Sequence, residues 1–349
     1  MQWTSRLINI IRSIIFLLLG FIVYKTKGVT PDKSYQSLIR LFCLTGGLSN
    51  DLLAAIIKIV RPKDSFNSAS GILGVLKISD IKNISDFLKE EGYYVFQEKL
   101  SSSMVRELVD LALGTKAVVE PLDGQQREKQ IESYYDPQNL QGIIYRYKPE
   151  ILIQNPLIQN LMVDTSILSV AQAYIGSSLI LDSINMWWSN AFKKYPDSNA
   201  AQLYHFDMDR IRWIKFFIYL TDVNTNNGPH CFIAKSHKIK GIPDSVLSRG
   251  YARISDNDIK SIYPPERVIE FTGSAGTIIA EDTRGLHKGK VLEKGQRLIL
   301  ELEFSNSLFG ASLPTLETFI DFQKVDGRIK KFMLAHRRIY KRWINTSAL

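Results

Sequence analysis

The sequence predicts an α+β protein with a mainly β core, a jelly roll of two antiparallel sheets with flanking helices. Between positions 179 and 304, short apolar runs alternate with turn signals such as Asn227-Gly228, as is typical of antiparallel strands. Helical apolar spacing occurs before and after this region. With 349 residues and 45% apolar content, the chain can bury a substantial core.

The individual elements can be assigned in chain order. A helix capped near Ser49 is predicted to end before Pro62, because proline cannot continue it. Further helices are predicted over 80–91 and 101–113, with a strand over 93–96 between them. The core strands are predicted at 179–181, 186–188, 213–220, 231–234, 277–280 and 297–304. The polar stretch 124–130 predicts an exposed loop.

This order of elements predicts four segments. A Ser- and Gly-rich stretch over 64–74 is typical of a linker and places a boundary near Lys77. The predicted segments are an apolar helix over 1–27, a helical region with its linker over 28–77, a jelly-roll domain over 78–310 and a basic helical tail over 311–349.

The first segment raises the question of membrane contact. An apolar run from Ser13 to Tyr24 is bounded by Arg12 and Lys25. A full span needs about 20 apolar residues and this run is shortened by Asn9 and Arg12, so an interfacial helix or a short anchor competes with a span, and a helix packed on its neighbours is also open. The run leads into Lys25-Thr26-Lys27 rather than into a small-residue cleavage site, which argues against a signal peptide.

Charge and cysteine usage bound the partners and the compartment. The formal charge is +9, and seven cations after Asp326 nearly account for it. Among these cations, Phe332, Ala335, Ile339 and Trp343 recur at roughly helical intervals, which predicts an amphipathic tail. The tail could dock on the domain, lie on anionic lipid or bind nucleic acid. The two cysteines offer no disulfide framework, so we expect a reducing, cytoplasmic location.

Candidate metal ligands lie at Tyr204-His205-Phe206-Asp207. On an alternating strand, His205 and Asp207 would point to the same face. His287, far along the chain, supplies a second imidazole. Two histidines and one carboxylate form the facial triad that is typical of non-haem Fe(II) oxygenases. Arg297 follows His287 by ten residues, and its planar fork suits a carboxylate held by two hydrogen bonds.

These residues resemble the phytanoyl-CoA dioxygenase family of Fe(II)/2-oxoglutarate oxygenases. The matching positions are Gln202, Tyr204, His205, Asp207, His287 and Arg297. The resemblance begins near Glu90 and includes Asn227-Gly228 and Ser236-His237-Lys238; Ala234-Lys235 departs from the frequent Pro-Gly of the family. It implies a cupin-like double-stranded β-helix that binds Fe(II), 2-oxoglutarate and O₂. The iron ligands would be His205, Asp207 and His287.

The resemblance also implies an activity. A small organic or lipid-like substrate would be hydroxylated with release of succinate and CO₂. Arg297 would hold the distal carboxylate of 2-oxoglutarate, and Gln202 would orient nearby groups. Asp207 favours hydroxylation over halogenation, since related halogenases have a small residue at that position. Arg210 and Arg212 are the leading candidates among the basic clusters for contact with substrate.

Two other functional classes remain as alternatives. The first is a catalytically silent, membrane-associated binding protein with the same fold. The second is an oxygenase directed to nucleic acid by its basic tail, although a small-molecule or lipid-like substrate is the expected partner and nucleic acid is not favoured. His230, His237 and His336 are predicted to have structural or surface roles rather than to bind metal.

Overall fold

A computed structural model of the chain describes residues 2–120, 131–198 and 200–345. The predicted loop at 124–130 therefore lies outside the described residues. The elements that precede the core are, in chain order, α1 (Gln2–Lys27), α2 (Asp32–Thr45), α3 (Leu48–Val60), β1 (Ser70–Gly71), β2 (Gly74–Val75), α4 (Ile78–Glu91), β3 (Tyr93–Lys99), α5 (Ser102–Leu113), β4 (Ala117–Val119), β5 (Ile131–Ser133), β6 (Ile144–Arg146), α6 (Pro149–Leu152), α7 (Pro156–Met162) and α8 (Thr165–Ile175).

The core and the tail follow. Their elements are β7 (Ile180–Asn190), β8 (Trp213–Tyr219), β9 (His230–Ile233), α9 (Asp244–Leu247), α10 (Asp256–Ile262), β10 (Val268–Phe271), β11 (Thr277–Glu281), β12 (His287–Gly289), β13 (Gln296–Ser305) and α11 (Gly327–Ala335). The strands and helices predicted for the core region agree with these bounds to within a few residues, except that the two runs at 179–188 form the single strand β7.

The core consists of two antiparallel sheets. The larger sheet has the order β3-β11-β8-β13-β7-β6-β4-β5, and the smaller has the order β10-β9-β12. Single bridges from His205 to His287 and from Tyr204 to Ile254 extend the smaller sheet beyond β12. The chain passes repeatedly between the sheets from β7 to β13, and this topology is the jelly roll, or double-stranded β-helix, expected from the sequence.

The prediction of a strand over 204–207 was only partly right. Tyr204 and His205 each form one bridge, and Phe206 and Asp207 have no regular secondary structure. The backbone of Asp207 is fixed differently, because its N–H donates to the carbonyl of Thr283 at 2.7 Å.

Alternation along the central strands separates two environments. On β8, Phe216 and Ile218 face a large apolar cluster that includes side chains of α4, α5 and α8. The intervening Phe217 and Tyr219 face the smaller sheet, where they pack with Phe232 among others. A strand buried on both faces in this way explains why residues 213–219 are all buried. Side chains on the inner face of β8 and β13 therefore point into the space between the sheets.

The stretch 64–74, predicted as a linker, is attached to the domain that follows. It contains the β1–β2 hairpin, and the N–H of Ile72 donates to Asp164 Oδ2 at 2.8 Å at the start of α8. Leu73 is completely buried in the apolar cluster of the larger sheet. The division of the chain into four segments stays a prediction.

Helix α1 packs on α2 and leaves its other side uncovered. Ser34 Oγ donates to the Phe16 carbonyl at 2.9 Å, and a Cβ at Gly20 would lie only 2.2 Å from Ser34 Oγ, so this close approach requires glycine. Facing away are Ile8, Ile15, Leu18, Leu19 and Ile22, each more than half exposed.

The apolar length of α1 is sufficient for a membrane span. Leu7–Lys27 is the one helix in the described part of the chain that is long and apolar enough on its own; α2 with α3 would qualify only as a pair bent by 117°. Membrane association stays a prediction.

The basic tail is packed on the domain. Trp343 and Ile339 are completely buried, and the Trp343 indole N–H donates to the Leu181 carbonyl on β7 at 2.6 Å. Arg342 donates to the Asp182 carbonyl at 2.7 Å. Helix α11 ends at Ala335, whereas the apolar pattern predicted that the helix would continue to Trp343. Of the three expectations for the tail, docking on the domain is the one that these contacts bear out.

Candidate metal centre

The three predicted ligands meet at the open end of the smaller sheet. His205 and His287 lie side by side because each donates its backbone N–H to the other's carbonyl, at 3.0 and 2.8 Å. Their rings are 4.3 Å apart. Asp207 Oδ1 lies 3.6 Å from His205 Nε2, and its Oδ2 lies 3.4 Å from His287 Nε2. One ligand atom from each residue lies within 4.8 Å of the others.

Both imidazoles are oriented with the same nitrogen inward. His205 Nδ1 bonds the Leu203 carbonyl at 2.9 Å, and His287 Nδ1 bonds the Gly285 carbonyl at 3.0 Å. A carbonyl can only accept, so each Nδ1 carries a proton, and in the neutral imidazole the Nε2 lone pair is the one that can coordinate. Such outer bonds fix the tautomer and direction of metal-binding histidines.

The charges at the site favour ligand binding. Burial alone would raise the pKa of Asp207, but Lys215, His287 and His205 hold this pKa well below its usual value, so Asp207 is ionised. Burial, together with His287, lowers the pKa of His205 well below its usual value, which favours the neutral imidazole. Asp207 opposes the burial of His287 and raises its pKa. A divalent cation among these three side chains would be held by the same negative charge of Asp207 that raises the pKa of His287.

Lys215 is the buried cation closest to the metal-binding carboxylate. Its Nζ lies 2.8 Å from Asp207 Oδ2, 2.9 Å from Asp209 Oδ2 and 3.6 Å from Glu303 Oε2. These acids raise the pKa of Lys215 well above its usual value even though burial opposes them. Lys215 therefore fixes the carboxylate of Asp207 through its Oδ2.

Arg297 lies in the same interior, at the start of β13. Its Nη1 donates to the Gly228 carbonyl, its Nη2 is 3.5 Å from Ser189 Oγ, and its buried Nε has no partner. Within the described part of the chain, no carboxylate forms an ion pair with Arg297. A Cβ at Gly289 would be 3.4 Å from Arg297 Nη2, which places the guanidinium beside β12, the strand that begins with His287.

A buried guanidinium needs an anion, because an unpaired buried charge is strongly unfavourable. Burial lowers the pKa of Arg297, and the groups that oppose this effect are the Tyr219 phenol and the Cys231 thiol rather than a carboxylate. The unpartnered Nε and the missing acid fit a bound carboxylate at this position. The donor set of the triad and this unsatisfied cation are consistent with a metal and an acidic cosubstrate.

A buried ion pair holds the loop that carries His287. Arg284 contacts Asp282 through Nε at 3.0 Å and Nη2 at 2.6 Å, and its Nη1 donates to Asp51 of α3 at 2.9 Å. Tyr174 of α8 donates its hydroxyl to the same Asp282 carboxylate. Arg284 and Tyr174 hold the pKa of Asp282 at about 2 although burial opposes them. This pair fixes the loop from which Thr283 accepts the Asp207 N–H.

The other residues predicted for the site, Gln202, Arg210 and Arg212, form contacts with other parts of the chain. Gln202 Oε1 accepts the Asp197 N–H at 2.9 Å, so this side chain braces the turn before His205. Arg210 is buried, and its Nε donates to Asp182 at 2.8 Å, so its guanidinium is already paired within the chain, and its contact with substrate stays a prediction. Arg212 lies over the Tyr174 ring, 5.2 Å from its centroid.

The remaining histidines are outside the group of three ligands. His230 Nε2 is 3.0 Å from Glu281, and His237 Nε2 bonds the Lys89 carbonyl at 3.1 Å. His336 packs against Phe332, with ring centroids 4.5 Å apart.

Sequence reasoning missed Lys215, Glu301 and Glu303. The sequence contained a signal for them. Each is a charged residue within an apolar strand, and its neighbours on both sides are apolar residues that face outward. Trp-Ile-Lys-Phe-Phe and Leu-Glu-Leu-Glu-Phe therefore indicate charges on the inner face. The partners of these charges depend on the pairing of β8 with β13, which places Lys215 opposite Glu303.

Comparison with known proteins gives structural similarity only. No family model and no curated protein matches the chain. The epimerase SnoN in complex with Fe3+, alpha ketoglutarate and nogalamycin RO is 14% identical, with a TM-score of 0.45 over 66% of this chain and 84% of SnoN. EctD from S. alaskensis with bound Fe is 18% identical, with a TM-score of 0.44 over 73% and 86% of the two chains.

HygX from Streptomyces hygroscopicus, with nickel, 2-oxoglutarate and hygromycin B bound, is 15% identical, with a TM-score of 0.45 over 66% of this chain and 87% of HygX. Membership of the phytanoyl-CoA dioxygenase family stays a prediction. The fold of this chain is defined by its own strand pairing.

Proposed function

We propose that this chain is an Fe(II)- and 2-oxoglutarate-dependent oxygenase that hydroxylates a small organic or lipid-like molecule. The observation that carries this proposal is the convergence of His205, Asp207 and His287 to within 4.8 Å, with both imidazole Nε2 atoms free. Two imidazoles and one carboxylate suit Fe(II) and leave further coordination positions for other ligands.

The cofactors are Fe(II) and 2-oxoglutarate. When bound, they supply the oxidation in which O₂ and 2-oxoglutarate are consumed, succinate and CO₂ are released and a substrate C–H bond becomes C–OH. The protein binds and orients the cofactors and the substrate, and it excludes water from the site. Arg297 holds the distal carboxylate of 2-oxoglutarate through a fork that already has one donor without a partner.

Several residues support this site without touching the substrate. Lys215 keeps Asp207 ionised and fixed. The Leu203 and Gly285 carbonyls hold the two imidazoles. Gln202 accepts the Asp197 N–H and so holds the turn that precedes His205, which helps to orient that ligand. Apolar side chains between the sheets exclude water from the reaction.

The principal test combines metal binding with product formation. The purified full-length chain should bind one Fe(II), measured anaerobically by calorimetric titration, and should form succinate from 2-oxoglutarate. Asp207→Ala removes one of three protein ligands and should lower metal affinity by at least roughly 100-fold and abolish succinate formation. His336→Ala, which changes a histidine outside the group, is the control. Unchanged metal affinity after substitution of both His205 and Asp207 would contradict the assignment.

The same measurements separate the alternatives. A silent binding protein would bind ligands without forming succinate at any substrate. A nucleic-acid-directed oxygenase would bind polynucleotides with a steep salt dependence. We expect a cytoplasmic protein that associates with a membrane surface through the exposed apolar face of α1. Fractionation of the full-length protein tests that association.

A further inference from the structure

A cavity of about 780 Å³ lies between α2 and the segment 244–251. Ile39, Cys43 and Leu44 of α2 line one wall, and Leu247 and Tyr251 line the other. A cavity of this size suits a drug-sized molecule, and apolar walls are typical of small-molecule sites.

Helix α2 forms this wall because it has two different faces. Ser34 contacts α1, whereas Leu38 and Leu41 are buried in the apolar cluster that includes part of α1. Tyr35, Ile39 and Cys43 recur at four-residue intervals and lie together on the cavity side. The N-terminal helical region thus contributes directly to a cavity of the domain.

The cavity adjoins the metal-binding segment. Phe206, which stands between His205 and Asp207, packs against Phe42 of α2 with ring centroids 5.3 Å apart. It also packs edge-on against Tyr251, at 5.4 Å. Tyr251, which lines the cavity, therefore contacts the residue that separates two proposed iron ligands, and so does Phe42 on the buried side of the helix that forms the other wall.

The acids of the metal centre also affect the two cavity tyrosines. Burial raises the pKa of Tyr35 to about 12, and the negative charges of Asp209 and Asp207 add to this effect. Burial and the same two carboxylates raise the pKa of Tyr251 as well. The two phenols remain protonated hydrogen-bond donors beside the acidic cluster of the metal centre.

We propose that the cavity between α2 and the 244–251 segment is the substrate site of this enzyme, and that it takes an uncharged molecule with a largely apolar body. This inference rests on the proposed function for its reaction, but the cavity's ligand binding can be measured separately. Arg40 and Asp244 at the cavity have opposite charges, so the lining has no excess of either sign. The phenols of Tyr35 and Tyr251 offer donors to a polar group near the reacting carbon.

The first test measures binding of methyl cis-parinarate, an uncharged fluorescent long-chain ester, to the full chain. Ile39→Trp fills the cavity and should weaken binding by at least about tenfold, the effect of losing burial of two methylene groups. Ile56→Trp is the matched control, since Ile56 is an exposed apolar residue of α3 that does not line the cavity, and it should change affinity by less than about twofold. Equal weakening by both variants, or by neither, overturns the assignment.

A second test needs no substitution in the cavity wall. Cys43 lines the cavity, whereas Cys231 is buried within β9, so native alkylation with N-ethylmaleimide should label Cys43 selectively. Burial raises the pKa of Cys43 to about 11, so the reaction should be slow enough to follow by mass spectrometry. Saturating ester should slow labelling in proportion to occupancy. Labelling at the same rate with and without bound ester would place the ester elsewhere.

A third measurement links the cavity to the metal. With Mn(II) at the triad, ester protons in the cavity should relax faster in NMR spectra, and Asp207→Ala should abolish this effect. Bound ester whose relaxation does not respond to Mn(II) would show that the cavity is not the substrate site, even if the protein is an oxygenase. If wild-type protein binds no Mn(II) or Fe(II), the proposed function fails, and the ester and alkylation results still decide whether the cavity binds apolar ligands.

Discussion

The metal centre buries charged side chains, whereas the outer face of α1 exposes apolar ones, and both are unusual in a folded protein. Around the metal centre, charged side chains such as Lys215, Glu303 and Asp282 are buried. On α1, apolar side chains such as Ile15 and Leu19 are more than half exposed. Charged residues are seldom fully buried without partners, and large exposed apolar patches usually mark an interaction surface.

The two regions differ in where their partners come from. Lys215 is surrounded by three acids of the same chain, and Asp282 is paired with Arg284. The apolar face of α1 has no covering segment among the described residues. Arg297 belongs to the buried region by position, yet it resembles α1 in lacking a partner for one of its groups. Partners from outside the chain are therefore expected at Arg297 and at α1.

The largest expected effect concerns the buried pair of Asp282 and Arg284. Asp282→Asn would leave a buried guanidinium without its acid and should lower the free energy of unfolding by about 3–5 kcal/mol. Chemical denaturation followed by circular dichroism measures this change. Asp86→Asn, in an exposed ion pair with Lys82 and Lys89, should leave stability unchanged. If the two variants were equally stable, the buried pair of Asp282 and Arg284 would contribute no more to stability than the exposed pair of Asp86 with Lys82 and Lys89.

A smaller effect is expected from Arg297→Lys. This change keeps a positive charge but loses the two-pronged geometry, so affinity for 2-oxoglutarate should weaken by roughly 1.5–3 kcal/mol. Metal affinity should be nearly unchanged, because Arg297 is not one of the three ligands. Calorimetric titration with each ligand in turn checks both statements. Arg297 would instead be structural if metal binding collapsed while 2-oxoglutarate affinity stayed at the wild-type value.

The third expectation is a pH dependence of stability. Folding lowers the pKa of Asp282 from 3.8 to about 2, so the ionised form stabilises the fold above the unfolded pKa. This contribution, about 2 kcal/mol at neutral pH, should be lost as pH falls from about 4 to about 2. Denaturation curves across that range, for wild type and Asp282→Asn, measure it. Parallel curves for the two proteins would mean that another group carries the acid sensitivity.

The smallest stability effect is expected on α1. Ile15→Asn changes an exposed side chain and should alter the free energy of unfolding by no more than about 0.5 kcal/mol. Leu17→Asn, two residues away but buried, should cost about 2–4 kcal/mol because it buries an amide. If α1 lies on a membrane, only Ile15→Asn should weaken co-sedimentation with phosphatidylcholine–phosphatidylglycerol vesicles while stability in solution is kept. Equal destabilisation by both would show that Ile15 is covered in solution.

The sequence predicted those parts of the molecule that depend on local pattern. Apolar runs separated by turn signals identified the core strands, and the pattern of His205, Asp207, His287 and Arg297, with the family resemblance it carries, was sufficient to propose a metal site. It could not identify the three acids around Lys215 or the approach of Tyr251 to α2, because both depend on contacts between distant segments. In the tail, burial of Ile339 and Trp343 against the domain overrides the helical pattern, so α11 ends at Ala335.

The mutual backbone bonds of His205 and His287 give the metal centre a property that its side chains alone would not have. The two amide protons are held by each other's residues, so both must become accessible to solvent whenever this bridge opens. Hydrogen exchange at the two amides should therefore occur in one cooperative step, and a bound divalent metal, which ties the same residues together, should slow both equally. The backbone at these two positions then reports occupancy of the site even when no reaction takes place.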